Sequence, residues 1–179
     1  MTTESLFMIG ALIVAVTGSI TDVATRRIPN KLTYLAIAIA IAGRFMLQGW
    51  HGLGSAIAGG LVGGGAFLIF FLLHVMGAGD VKLIAAVGCF AGPGLAIEIV
   101  LASAMAGGIF AIFYALLKGR LRVVLANVWD LIKFHAALGV EVHPTLNLSN
   151  PQAVRLPYGV AIAAGVLYST LAFYHRGGL

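Results

Sequence analysis

An all-α bundle of membrane-spanning helices is the fold class this sequence predicts, and three observations predict it. Hydrophobic residues make up 60% of the 179 and charged residues only 9%, where an ordinary soluble domain carries about 25% charge. Mean hydropathy is +1.02. The eleven Lys and Arg exceed the six acids by five, the bias that cationic cytoplasmic loops give a bilayer protein. Together these exclude a soluble enzyme, a disordered tail and a nucleic-acid module with a basic patch. The chain is expected to form one membrane-embedded domain over residues 1–179.

Apolar runs at Leu6–Thr21, Leu32–Leu47, Leu53–Val75, Val81–Ala91, Leu95–Leu117 and Leu156–Tyr174 give six candidate spans. The first follows Thr2, Thr3 and Glu4 rather than a basic region, so it reads as a span and not a cleaved signal peptide. The fourth has eleven residues, short of the roughly 20 that cross the hydrocarbon core. Charge decides its status. With six crossings and the N-terminus outside, Arg26, Arg27, Lys31, Lys82, Lys118, Arg120, Arg122, Lys133 and Arg155 fall inside, nine of eleven. With five crossings the balance is five inside and six outside, so a short fourth span is expected to cross, shielded by its neighbours. Both termini are then outside.

Gly59, Gly60, Gly63, Gly64 and Gly65 read as a surface for close helix packing in lipid. A phosphate loop is the other reading, but no Lys-Ser or Lys-Thr pair follows and no strand precedes. Between Lys118 and Arg155, Leu121, Val124, Leu125, Val128 and Ile132 share one helical face, which predicts an interfacial helix with Trp129 at headgroup level. Pro144, Asn147, Asn150 and Pro151 read as irregular connection. Cys89, the lone cysteine, lies in an apolar run and reads as a small buried hydrophobe.

Of the six acids, Glu4 is near the N-terminus, Glu98 is near the outer rim, and Asp130 and Glu141 fall in the long loop. Asp22 and Asp80 remain. The topology puts both at the cytoplasmic edge, one ending the first span and the other beginning the fourth. Ionisable groups in spans cost roughly 2.5 to 3.5 kcal/mol by insertion scales and usually mark function. Met76-Gly77-Ala78-Gly79-Asp80 leaves bare backbone beside the acid, against which an extended peptide could hydrogen-bond. After Asp22, Pro29 stops the helix and Asn30 is expected to cap the next.

Two carboxylates at short range hold one proton between them, which suits peptide hydrolysis. The ionised member deprotonates a water and the protonated one hydrogen-bonds the carbonyl oxygen. No metal or cofactor is required, and His51, His74, His135, His143 and His175 lack ligand spacing. Helix dipoles point to Asp80, at a helix N-terminus, as the base, although Arg26 and Arg27 offset the effect at Asp22. Read singly, Asp80 is an N-cap and Asp22 a partner of Arg26. Read as a pair, they are the catalytic residues, with Gly77, Gly79 and Lys82 beside the substrate. Lys82 also reads as a topology anchor.

Asp22 with Arg26, Arg27, Ile28, Pro29 and Asn30, joined to Gly77-Ala78-Gly79-Asp80-Val81-Lys82-Leu83, resembles the prepilin peptidases, bacterial aspartic proteases of the GxGD type. Leu156-Pro157-Tyr158-Gly159 looks like the family's Pro-aromatic-Gly-Pro, with Val160 in place of the second proline. With one cysteine and a short first cytoplasmic loop, the chain looks like the compact kind associated with Flp/Tad pili. The resemblance implies leader cleavage from a prepilin or Flp-type pilin precursor at the inner membrane of a bacterium. It also implies no methylation and no S-adenosylmethionine, with pilus-assembly proteins as further partners. The competing readings are a small proton-coupled transporter or channel using the same aspartates as a relay, and a non-catalytic membrane scaffold.

Overall fold

A computed structural model describes residues 2–147 and 156–177. Among them the chain is all-helical, with five helices and no strand: α1 (Thr3–Thr25), α2 (Asn30–Leu72), α3 (Ala78–Leu117), α4 (Leu121–Leu138) and α5 (Tyr158–His175). Three of these, α1, α2 and α3, are long and apolar enough to cross a membrane.

The five helices do not support a count of six. The runs at 32–47 and 53–75 fall in one helix, α2, and those at 81–91 and 95–117 in another, α3, each helix carrying an internal break. Each pair is divided by a single glycine with non-helical dihedrals, Gly49 (φ 62°, ψ −147°) and Gly92 (φ 76°, ψ 170°). Positive φ is open to glycine at no steric cost. Pro93 follows Gly92, as a proline can where a helix resumes, because its missing N–H would have no partner there. One residue thus does what a loop would do.

Both breaks turn the chain sharply. Eight residues of straight helix span about 12 Å, yet a Cβ on Gly52 would strike the carbonyl of Arg44. Likewise Asp80 and Phe110 would stand about 45 Å apart on a straight helix, yet they border one cavity.

Small residues set the packing. The second half of α2 runs antiparallel to the first half of α3: Gly59 meets the Gly88 backbone, Gly60 meets Cys89, and a Cβ on Gly63 would lie 2.6 Å from the Ile84 carbonyl oxygen. Such contacts draw backbones together where lipid offers no hydrophobic drive. Cys89 is buried there. On α1, Gly10 faces Phe90 and Gly18 faces Leu83, so α1 also runs antiparallel to the start of α3. Helix α5 packs against the second half of α3, with Gly165 on Ser103 and Tyr158 on Gly107.

Helix α1 starts on Thr2, whose hydroxyl accepts the Ser5 N–H at 3.2 Å. It ends at Arg26, in left-handed conformation (φ 56°), whose N–H returns to the Asp22 carbonyl at 2.8 Å. The cap of α2 is Pro29 and not Asn30; Asn30 is the helix's first residue, and its side chain accepts from Lys82. Helix α4 covers the amphipathic face expected from Leu121 to Ile132, runs on to Leu138 and contributes no buried residue. His143 folds back on it, 3.4 Å from Asp130 and edge-on to Phe134. Pro144 and Asn147 lie outside helices as expected, while Asn150, Pro151 and Arg155 fall outside the described residues.

Candidate active site

Asp22 sits in the last turn of α1 and Asp80 in the first turn of α3. The antiparallel packing of these helices brings both to the same end of the bundle. They border one cavity of about 710 Å³, and Asp22 is close enough for its charge to act on Asp80. Asp22 is 8% exposed.

The cavity's lining is part charged and part apolar. Asp22, Asp80, Arg26 and the backbone of Gly77 form the first. Phe110, Phe113, Tyr114 and Leu117 of α3, with Leu156 and Val160 from the entry to α5, line the second. Such a lining suits a ligand with a polar peptide group and an apolar flank.

The remaining expected site residues divide. Gly77 caps α3 and borders the cavity, and a Cβ on it would stand 3.2 Å from the Asp80 Oδ2. Gly79 lies one residue from Asp80 but faces Ile28, 3.3 Å from where its Cβ would be. Lys82 is turned away from the cavity. Its Nζ donates to Asn30 Oδ1 at 2.9 Å and lies 5.2 Å from the centre of the Tyr34 ring. The pair joins α3 to the start of α2.

Sequence reasoning missed the part played by α5. Its second residue, Gly159, donates its backbone N–H to Asp22 Oδ2 at 3.0 Å. Tyr158 beside it lines the cavity, donates its hydroxyl to the Ser103 carbonyl at 3.3 Å and packs edge-on against Phe67. The Pro-Tyr-Gly sequence at the start of an apolar run was the available signal.

The arrangement offers two carboxylates, one cation, exposed backbone at Gly77 and an apolar bay. Among the described residues no group of three or more His, Cys, Asp or Glu is placed to hold a metal ion. The type IV leader peptidase family has a model that matches residues 6–112, a stretch holding both aspartates and the glycines between. No curated protein and no solved structure matches the chain.

Proposed function

From the premise that the chain belongs to the type IV leader peptidase family, a family of membrane proteases, we propose that it is an aspartic endopeptidase working through Asp22 and Asp80. The observation that carries the reading is the convergence of the two acids, from opposite termini of α1 and α3, on one cavity.

In the proposed reaction the extended substrate lies beside Gly77, where no side chain blocks it. Water sits between the carboxyls. The ionised one takes a proton from the water as its oxygen bonds the scissile carbonyl carbon, while the protonated one hydrogen-bonds the carbonyl oxygen. Collapse of the tetrahedral intermediate breaks the C–N bond. The leaving nitrogen takes the proton back and leaves one proton on the pair, as at the start. The apolar bay at Phe110, Phe113 and Leu117 receives the hydrophobic side of the cleaved segment.

The substrate class is a prepilin leader of the Flp type, cut at the cytoplasmic face of a bacterial inner membrane. Both chain termini lie on the outer side in this reading, and pilus-assembly proteins are further partners. The domain is residues 1–179. Gly79 and Lys82 act on the substrate indirectly, through Ile28 and Asn30. Helix α4 lies in the headgroup layer. Leu125, Val128 and Ile132 are exposed along one side, and Lys133 is 5.4 Å from the Trp129 ring centre, as suits a helix at a lipid boundary. A proton relay through the bilayer calls for acids spread in depth, whereas these two share one end.

The test is cleavage of a pilin-like peptide by purified wild type, Asp22→Asn and Asp80→Asn. Cleavage by wild type and its loss in both variants supports the reading. A wild type that moves protons and cuts nothing supports the relay.

A further inference from the structure

We infer that Gly159 is a positioning residue for Asp22: its N–H fixes one carboxylate oxygen, and its missing Cβ is what lets α5 come close enough to do so. The inference rests on the proposed role of Asp22 and adds a third helix to the site. Gly159 lies 137 positions from Asp22, and their bond is buried.

The geometry leaves little freedom. A Cβ on Gly159 would stand 3.1 Å from both Cβ and Oδ2 of Asp22 and 3.2 Å from the Cα of Ser19. Any side chain here would push α5 off α1 or turn the carboxylate. The orientation of the N–H is also held from the other side. Pro157 fixes the entry to the helix, and the Tyr158 ring rests on Gly107 with its hydroxyl on Ser103, so the first turn of α5 is pinned to α3. First-turn N–H groups have no partner within their own helix, and a carboxylate is a favourable one, both as acceptor and as charge at the positive end of the dipole.

One oxygen is thereby taken. With Oδ2 on Gly159, Oδ1 is the oxygen left for a water or for Asp80. The charged and titratable groups sharing the cavity with Asp22 are Arg26, which caps α1, Asp80 and Tyr114 on α3 and Tyr158 on α5. The bond also removes the asymmetry from which helix dipoles singled out Asp80 as base, since α5 now gives Asp22 a helix N-terminus of its own.

The experiment compares wild type, Gly159→Ala, and a protein whose peptide nitrogen at residue 159 is replaced by an ester oxygen. The ester deletes the N–H and adds no atom, so it remains informative where the alanine variant fails to fold. Gly165→Ala is the packing control, because its Cβ would press on Ser103 in the α3–α5 contact, away from Asp22. Two quantities are measured: kcat and KM on a pilin-like peptide, and the rate at which a carbodiimide, which reacts with protonated carboxyls, labels Asp22 without substrate.

The expected result is a kcat about ten- to a hundredfold lower in the ester protein with KM within about twofold, and labelling of Asp22 several-fold faster. Gly165→Ala changes neither and lowers only thermal stability. An unchanged labelling rate in the ester protein, or the same acceleration in Gly165→Ala, overturns the assignment of Gly159. A wild type that cuts no peptide overturns the protease reading alone, because labelling decides on Gly159 without it.

Discussion

At the end of the bundle where α1 begins, Arg44 is 2% exposed and nearly every donor of its guanidinium has an acceptor. Nε and Nη2 reach the Phe90 carbonyl at 3.1 and 2.7 Å, Nη1 and Nη2 reach Glu4 at 3.2 and 2.9 Å, and Nη1 reaches Gln48 at 3.0 Å. The group lies 4.5 Å over the Phe7 ring. Eighteen residues along α1, about 27 Å away, Asp22 is almost as buried and borders an open cavity together with a second acid. Burial is similar at both ends. What differs is where the polar atoms point: at one end inward on each other and on a helix break, at the other toward space that a ligand can fill. Saturation marks Arg44 as structural, and convergence on a cavity marks the aspartates as chemical.

The sharpest way to break this comparison is to neutralise one group at each end. Asp22→Asn and Asp80→Asn keep shape and remove a charge that the proposed chemistry needs. Each is expected to lower peptide cleavage about a thousandfold or more while thermal unfolding in detergent stays close to that of wild type. Variants that unfold instead of going silent would make the acids structural and erase the contrast.

Arg44→Met is expected to do the reverse. It takes the ion-pair partner from Glu4, which is 40% exposed and keeps its bond to Gln48, and leaves the Phe90 carbonyl, beside the break at Gly92, without its donor. A buried acceptor left unpaired costs about 1–3 kcal/mol, and the packing lost over the Phe7 ring adds to this, read as a lower denaturant midpoint. The fraction still folded should cleave at nearly the wild-type rate, because no atom of Arg44 borders the cavity.

These two ends were not equally legible in the sequence. Asp22, Asp80 and Gly77 could be found because an acid at the edge of an apolar run has few bland explanations, and α1, α4 and the start of α5 followed from apolar runs and Pro157. Arg44 was counted only as an outer topology charge, since a single cation near the end of a run looks the same whether it snorkels to water or turns inward. The breaks at Gly49 and Gly92 fall in the gaps between the apolar runs, at 48–52 and 92–94, so where the straight segments end was legible. That a single glycine makes each turn, with helix on both sides of it, was not, because hydropathy does not report φ. The Gly159 contact depends on α5 returning to α1; Pro157-Tyr158-Gly159 marks the start of that helix, but not which helix it meets.

Between the two ends lies the glycine seam, where the comparison can be sharpened. Gly63→Ala sets a Cβ 2.6 Å from the Ile84 carbonyl oxygen, a backbone atom that cannot swing aside. Overpacking of this kind costs about 1–3 kcal/mol, less than Arg44→Met. Because α3 carries Asp80 at its start, activity should fall modestly along with stability, unlike in the variants at either end. Paired measurements of unfolding midpoint and kcat/KM check this, and a variant of wild-type stability would show that the seam is loose.

The smallest effect belongs to Lys82, and it is the most discriminating for the residues around Asp80. Lys82 is two positions from the acid, close enough in sequence to be expected beside a substrate, yet one helical residue turns a side chain by about 100° and two carry it well away from the cavity. Its ammonium is already engaged by Asn30 Oδ1 and the Tyr34 ring. The hydrogen bond is exposed, and exposed polar contacts of a lysine contribute little. Lys82→Met should therefore change kcat/KM by less than about twofold and shift the unfolding midpoint only slightly. A tenfold rise in KM would show that the lysine leaves Asn30 to meet the substrate, and would extend the reacting end of the bundle to the start of α2.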